Sequence, residues 1–339
     1  MAHTSKLVVT LLATAFSLAS DIGAQASPPR LRDFLSRDGI LSAAQIAAVE
    51  RGDVVVKTLP TGDDRDVAVI GVVRVARPRR SVIEARSRAA AHTFDTPGTL
   101  DDVADVHLTR DDLNELSRCQ PNACNFKLPA SGMAALSSIV SASAGDVASR
   151  AEDYLRRRMV EYIAAYRQRG NAAMIVYDDL GSVQSSSAFD VMLRDSSHIF
   201  SVAPALAGFL LDFPRASLPG ATNVMFWTVD ALPRIRPVLR IVHEVTYTPA
   251  EVPGATVIAA KQLYADHYFE AGLEVLAAVD DSLSGFPGGS HGTALAVVRH
   301  YRFDHLPSGG LLNLRRRVVD GLRDDVTNDL TRLRRDNAR

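Results

Sequence analysis

Cysteine is almost absent from this chain: 339 residues carry only two, Cys119 and Cys124, and a single tryptophan, Trp227. Two thiols are too few for the disulfide framework of a small secreted scaffold or for a zinc site built on cysteine. Charge of one sign is not in excess either. The formal net charge is -1 and the arginines are spread along the chain. The concentrated basic stripe that binds a phosphate backbone is therefore missing, and nucleic acid is not an expected partner. Sequence motifs for nucleotide chemistry are also missing: there is no P-loop and no G-x-G-x-x-G, and "GGSHG" at 288–292 reads as a flexible loop and not as the nucleophile elbow of an acyl-transfer enzyme. "HEVTY" opens like a zinc-helix motif, but Tyr247 stands where the second histidine should be. Neither a metal nor a cofactor is expected.

What is present points to a globular, exported protein. At 47% hydrophobic and 23% charged residues, the chain can bury the core of one large domain or two modest ones. Residues 1–26 differ in kind: Lys6 supplies a positive start, "LVVTLLATAFSLA" an apolar run, and "AQA" before Ser27 a small-residue cleavage site. That is the pattern of a secretory signal peptide. No other segment reaches the roughly 18 apolar residues of a membrane span, so the mature chain is expected to have no integral membrane segment and to be periplasmic or extracellular. An oxidising compartment makes Cys119 and Cys124 a disulfide, a local staple across the turn that Pro121 and Asn122 favour.

Helix and strand signals alternate in blocks. "LSAAQIAAVERGD" reads as a helix with Ser42 and Gln45 at capping-box spacing. "DVVVKTL" and "DVAVIGVVRVA" read as paired strands, and Pro78 opens a helix. Between residues 93 and 220 helices dominate, with Leu155, Met159, Ile163 and Tyr166 at helical spacing and Gly170 as the stop. Strands return in "PVLRIVHEVTY", "ATVIAAKQLYADHYF", "LEVLAAV" and "TALAVVRHYRF". Last comes a long amphipathic helix with Leu314, Val318, Leu322, Val326 and Leu330 four apart.

This order resembles the START-like (SRPBCC, helix-grip) superfamily. "VAVIGVVRVARPRRSVIEA" carries the likeness at the front, and "KQLYADHYFEAGLEV" and "LLNLRRRVVDGLRDDVTNDLTRL" at the back. "VVVKTLP", "CQPNACNFKLP" and "HYF" are further similar to uncharacterised exported bacterial proteins. The resemblance implies an α+β fold in which a curved antiparallel sheet wraps a long C-terminal helix and a hydrophobic ligand sits between them. Its core would span 27–92 and 221–339, with a helical insertion at 93–220.

Alternation along the strands locates the expected cavity, because residues two apart share a face. The apolar sets are Val257 to Phe269 at odd positions, Leu239 to Tyr247 at odd positions, and Thr293 to Phe303 at odd positions. Each set includes basic or polar exceptions: Lys261 and His267, His243, and Arg299 beside Tyr301. Gln262, Tyr264, Asp266, Tyr268, His300 and Arg302 fall on the outer faces. A buried cation needs a partner, so Lys261, His267, His243 and Arg299 predict a cationic end to an apolar cavity. The expected ligand is a hydrophobic or amphiphilic small molecule with an acidic head, such as a lipid. Two alternatives stand beside this one: a cofactor-free enzyme using His267 with Tyr264 or Tyr301, and an interaction module docking through the helical insertion.

Overall fold

A computed structural model describes residues 30–87, 92–142, 145–196, 200, 203–231, 236–287, 291–305 and 314–336. The expected leader over residues 1–26 lies outside the described residues. The helices are α1 (Leu31–Ser36), α2 (Ala43–Glu50), α3 (Arg79–Ser87), α4 (Arg110–Leu116), α5 (Ala130–Ser141), α6 (Val147–Arg169), α7 (Ser185–Asp195), α8 (Pro204–Asp212), α9 (Asp281–Ser284) and α10 (Leu314–Asp336). The strands are β1 (Val55–Leu59), β2 (Asp66–Val75), β3 (His92–Thr93), β4 (Val176–Tyr177), β5 (Val183–Gln184), β6 (Thr222–Asp230), β7 (Val238–Tyr247), β8 (Ala255–Ala265), β9 (Phe269–Asp280) and β10 (Thr293–Phe303).

Eight strands form one antiparallel sheet in the order β1-β2-β10-β9-β8-β7-β6-β3, and β4 and β5 make a separate small hairpin. The protein is thus α+β, with a large antiparallel sheet and a long C-terminal helix. The sheet is covered on both faces. On the front, Ala68, Ile70, Val245, Ala259, Leu273 and Val298 pack against apolar side chains of α1, α2, α7 and α8. On the back, Val67, Val69, Leu276 and Leu295 meet Val318, Leu322, Val326 and Leu330 of α10. This two-sided burial explains why β8 is buried at every residue. It also corrects the assignment of outer faces, since His300 and Arg302 are both buried.

Local rules account for the element ends. Ser42 and Gln45 close a capping box at α2, and Thr109 with Asp112 closes another at α4. Gly170 caps α6 at φ 56° and ψ -133°, where a Cβ would stand 1.6 Å from the Phe213 carbonyl oxygen. Only glycine satisfies both the angle and the space. α6 lies over the front of β6 and β7, where Met159, Ile163 and Tyr166 join Met225, Trp227 and Ile241 in a further core cluster. Among the described residues no helix is long and apolar enough to cross a membrane.

Candidate functional site

The four basic residues expected to share one cavity end are divided by the sheet. His243 and Lys261 are register partners on the front. Arg299 pairs in register with Val69 and Glu274 and faces α10 at the back. Its guanidinium bonds Asp325 and Asp329 of α10 and stands 3.3 Å from Glu274. Tyr301, on the same face, donates to Glu274 at 2.6 Å, and Arg240 donates to both Tyr301 and Glu274. Burial alone would raise the Glu274 carboxyl, but the Arg240 and Arg299 charges hold it far below the usual carboxylate range. The expected cationic end therefore does not assemble. Arg299 has protein acids for partners instead.

Lys261 is fully buried, with neutral partners. Its ammonium donates to Asn171 Oδ1 and to the Leu210 carbonyl at 2.9 Å, and lies 4.4 Å over the Phe189 ring. Burial pushes its pKa down to about 7, offset in part by Asp190. His243 beside it is pushed down to about 3, by burial first and the Lys261 charge second. The neutral imidazole is held at both nitrogens: Nε2 donates to Asn223 Oδ1 at 2.9 Å, so Nδ1 accepts from the Tyr166 hydroxyl at 3.1 Å.

His267 lies elsewhere for a different reason. The apolar alternation of β8 does not run on to residue 269. Opposite the step from Ile241 to Val242 the register with β7 slips, so Leu263 is an extra residue and Tyr264 pairs with Ile241 on the front face. β8 then ends at Ala265, and Asp266 to Tyr268 turn the chain into β9 with Tyr268 at φ 61°. Tyr162 and Tyr177 fix this corner, the first donating to the Leu263 carbonyl at 2.7 Å and the second accepting from Ala265 N–H at 3.1 Å. The turn carries Asp266 and His267 to the end of the front face. Tyr264 and Asp266 thus leave the outer face expected for them.

There they border a cavity of about 630 Å³. Its floor is Trp227 of β6 with Leu239 and Ile241 of β7, and its roof is Leu155, Met159 and Tyr162 of α6. Leu128, Pro129 and Gly132 at the start of α5 and Phe126 close one side. The cavity lies under the helical block on the front of the sheet, not between the sheet and the C-terminal helix. Lys261, His243, Arg299 and Tyr301 do not line it; of the expected ligand-binding residues His267 does, together with Tyr264 of the enzymatic alternative.

Polar and charged groups, among them Asp105, His107, Asp112, Arg158, Arg236 and Asp266, share the lining with the apolar floor and roof. His267 Nδ1 stands 2.9 Å from Asp266 Oδ1, out of line for a hydrogen bond, and Nε2 stands 4.0 Å from Glu115. Both ring nitrogens are shut away from solvent, so the ring backs Asp266 and presents no nitrogen to the cavity. Asp266 Oδ1 also accepts from Leu239 N–H at 3.0 Å. Burial raises the Asp266 carboxyl, and His267 counters that in part. Arg236 closes the rim by donating to Glu115 at 2.6 Å and to Asp112.

Cys119 and Cys124 form the expected disulfide, with sulfurs 2.01 Å apart around Asn122 at φ 64°. It follows α4 and leads into Phe126 on the cavity wall. Among the described residues no group of three or more His, Cys, Asp or Glu side chains is placed to hold a metal ion. No protein-family model matches the chain, and no curated protein matches it, so the chemistry of the site rests on its own geometry.

Proposed function

We propose that this protein binds a hydrophobic small molecule in the cavity beneath α6. The observation that carries the reading is the cavity itself, about 630 Å³ with Leu155, Met159, Trp227, Leu239 and Ile241 among its walls. Its volume is within the roughly 300–1,000 Å³ of small-molecule sites, and an apolar wall with few polar groups is their usual composition. The large antiparallel sheet with a C-terminal helix laid on it supports kinship with the START-like superfamily. In that kinship the ligand site has moved from the helix-grip interface to the face under the helical insertion. The disulfide and the leader-like start of the sequence support export to the periplasm or the cell exterior.

Trp227 is the sole tryptophan and lies in the cavity floor, so its emission reports occupancy directly. 1-Decanol, used below its solubility limit, is expected to shift that emission saturably at one site per chain. Leu155→Phe, which fills the cavity from α6, should weaken the response at least tenfold. A response that does not saturate, or that is the same in Leu155→Phe, would refute the assignment.

A further inference from the structure

We propose that the cavity selects ligands whose polar head is a cation, an aliphatic amine or a quaternary ammonium, over carboxylates. The inference rests on the binding reading above and names the ligand class of that same cavity. Three observations carry it. The basic side chains at the rim already face carboxylates: Arg236 bonds Asp112 and Glu115, His107 stands 3.5 Å from Glu152, and Arg158 pairs with Glu161 in solvent, outside the apolar part of the cavity. An anionic head would have to break one of these pairs or remain unpaired in an apolar cavity, which is costly.

Asp266 is in the opposite situation. Its Oδ1 accepts from Leu239 N–H, with the His267 ring 2.9 Å away on the same side. Among the described residues no donor reaches its other oxygen, while the residue lines the cavity and its side chain keeps 16% of its exposure. A carboxylate with one free oxygen in an apolar setting favours a positively charged donor, and a charge-assisted bond there is stronger than a neutral one.

The third observation is aromatic. Trp227, Tyr162, Tyr264, Phe126 and Tyr154 all border the cavity. Ring faces attract ammonium groups, with tryptophan the strongest, and aromatic walls beside the carboxylates of Asp105, Asp112 and Asp266 make a site for an organic cation. Trp227 is itself held in place, its Nε1–H donating to the Asp102 carbonyl at 2.8 Å and its ring stacked on His92 at 4.2 Å. The indole nitrogen and the His92 side of the ring are thereby used up, which leaves the opposite ring face to interact through its π-system.

The test compares three probes of equal chain length, decylamine, 1-decanol and decanoate, by titrating Trp227 emission at neutral pH. The expected order is amine tightest, alcohol next and carboxylate weakest, with at least tenfold between amine and carboxylate. Asp266→Asn keeps an acceptor for Leu239 N–H and is expected to remove the preference for the amine, so that decylamine binds no more tightly than decanol. Decanoate binding as tightly as decylamine to the unaltered protein would overturn the cation inference and leave the hydrophobic-ligand reading standing. So would an amine preference that survives Asp266→Asn. Failure of all three probes to shift the emission would overturn both readings together. The ranking on the unaltered protein decides the matter even where the variant folds poorly.

Discussion

Lys261 and Arg299 are both interior cations of the same sheet, and the sequence treats them alike. The interior does not. Arg299 is surrounded by Glu274, Asp325 and Asp329, so removing it leaves Glu274 to Arg240 alone and takes from Asp325 and Asp329 their cation on the sheet. Arg299→Met is expected to destabilise the fold by about 3–5 kcal/mol, the cost of uncompensated buried charge, discounted somewhat because the two α10 acids are a third exposed. The denaturant midpoint measures it, and a midpoint unchanged from the native chain would mean that the network contributes nothing. Among the described residues the hydrogen-bond acceptors of Lys261 are neutral, and its pKa falls to about 7 from the 10.5 of an exposed lysine. Between these values the unfolded chain holds a proton that the folded chain has released. Raising the pH through this window therefore favours folding, by up to about 1.4 kcal/mol per pH unit. Lys261→Met should lose that rise. Urea midpoints at pH 7.5, 8.5 and 9.5 compare the two proteins, and parallel profiles would contradict the assigned shift.

At the scale of elements, most of the architecture was legible in the sequence because helix and strand periods are local properties. The capping box of α2, the Gly170 stop and the four-apart stripe of α10 each follow from residues close together in the chain. The candidate site was less legible, because its placement depends on one register slip. Parity assigned Tyr264 and Asp266 outward, whereas the extra residue at Leu263 and the turn at 266–268 bring both to the cavity. Asp266 did carry a signal as a turn former, but the apolar alternation on either side masked it. Faces were the other difficulty: alternation says which residues of one strand lie together, and not that the apolar sets of β8 and β10 point to opposite sides. Contacts between elements also fix where side chains cannot grow. At Gly71 of β2 a Cβ would stand 2.4 Å from Val326 and 2.7 Å from Leu330, so α10 rests on bare backbone there. Gly71→Ala is expected to cost about 1–3 kcal/mol by overpacking. Gly208 within α8 meets nothing within 4 Å, and Gly208→Ala should stabilise by up to about 1 kcal/mol. Thermal unfolding of the two variants should move in opposite directions, and the same sign for both would discredit the contact geometry.

At the scale of the whole molecule, non-covalent packing on two faces of a central sheet carries the fold, and the covalent link is a local supplement. The disulfide spans a sequence separation of 5 residues and lies in a satellite core with Leu116, Phe126, Met133 and Leu136, away from both principal clusters. A loop this short restricts the unfolded chain little, and the chain-entropy estimate is about 2 kcal/mol. For a domain of this size that corresponds to a fall in Tm of only a few degrees. The double variant Cys119→Ser, Cys124→Ser is therefore expected to fold with the same secondary structure and a slightly lower Tm. Its larger effect should be regional. The disulfide bridges α4, whose Glu115 meets His267 and Arg236, to Phe126 on the cavity wall, so breaking it loosens one end of the cavity without reaching the α10 side. Hydrogen exchange tests both parts of this expectation: amides of residues 110–128 and of the 266–268 turn should lose protection, while β2, β10 and α10 keep theirs. Global loss of protection on reduction would mean instead that the satellite core holds the sheet together, and the two-faced account of stability would have to be abandoned.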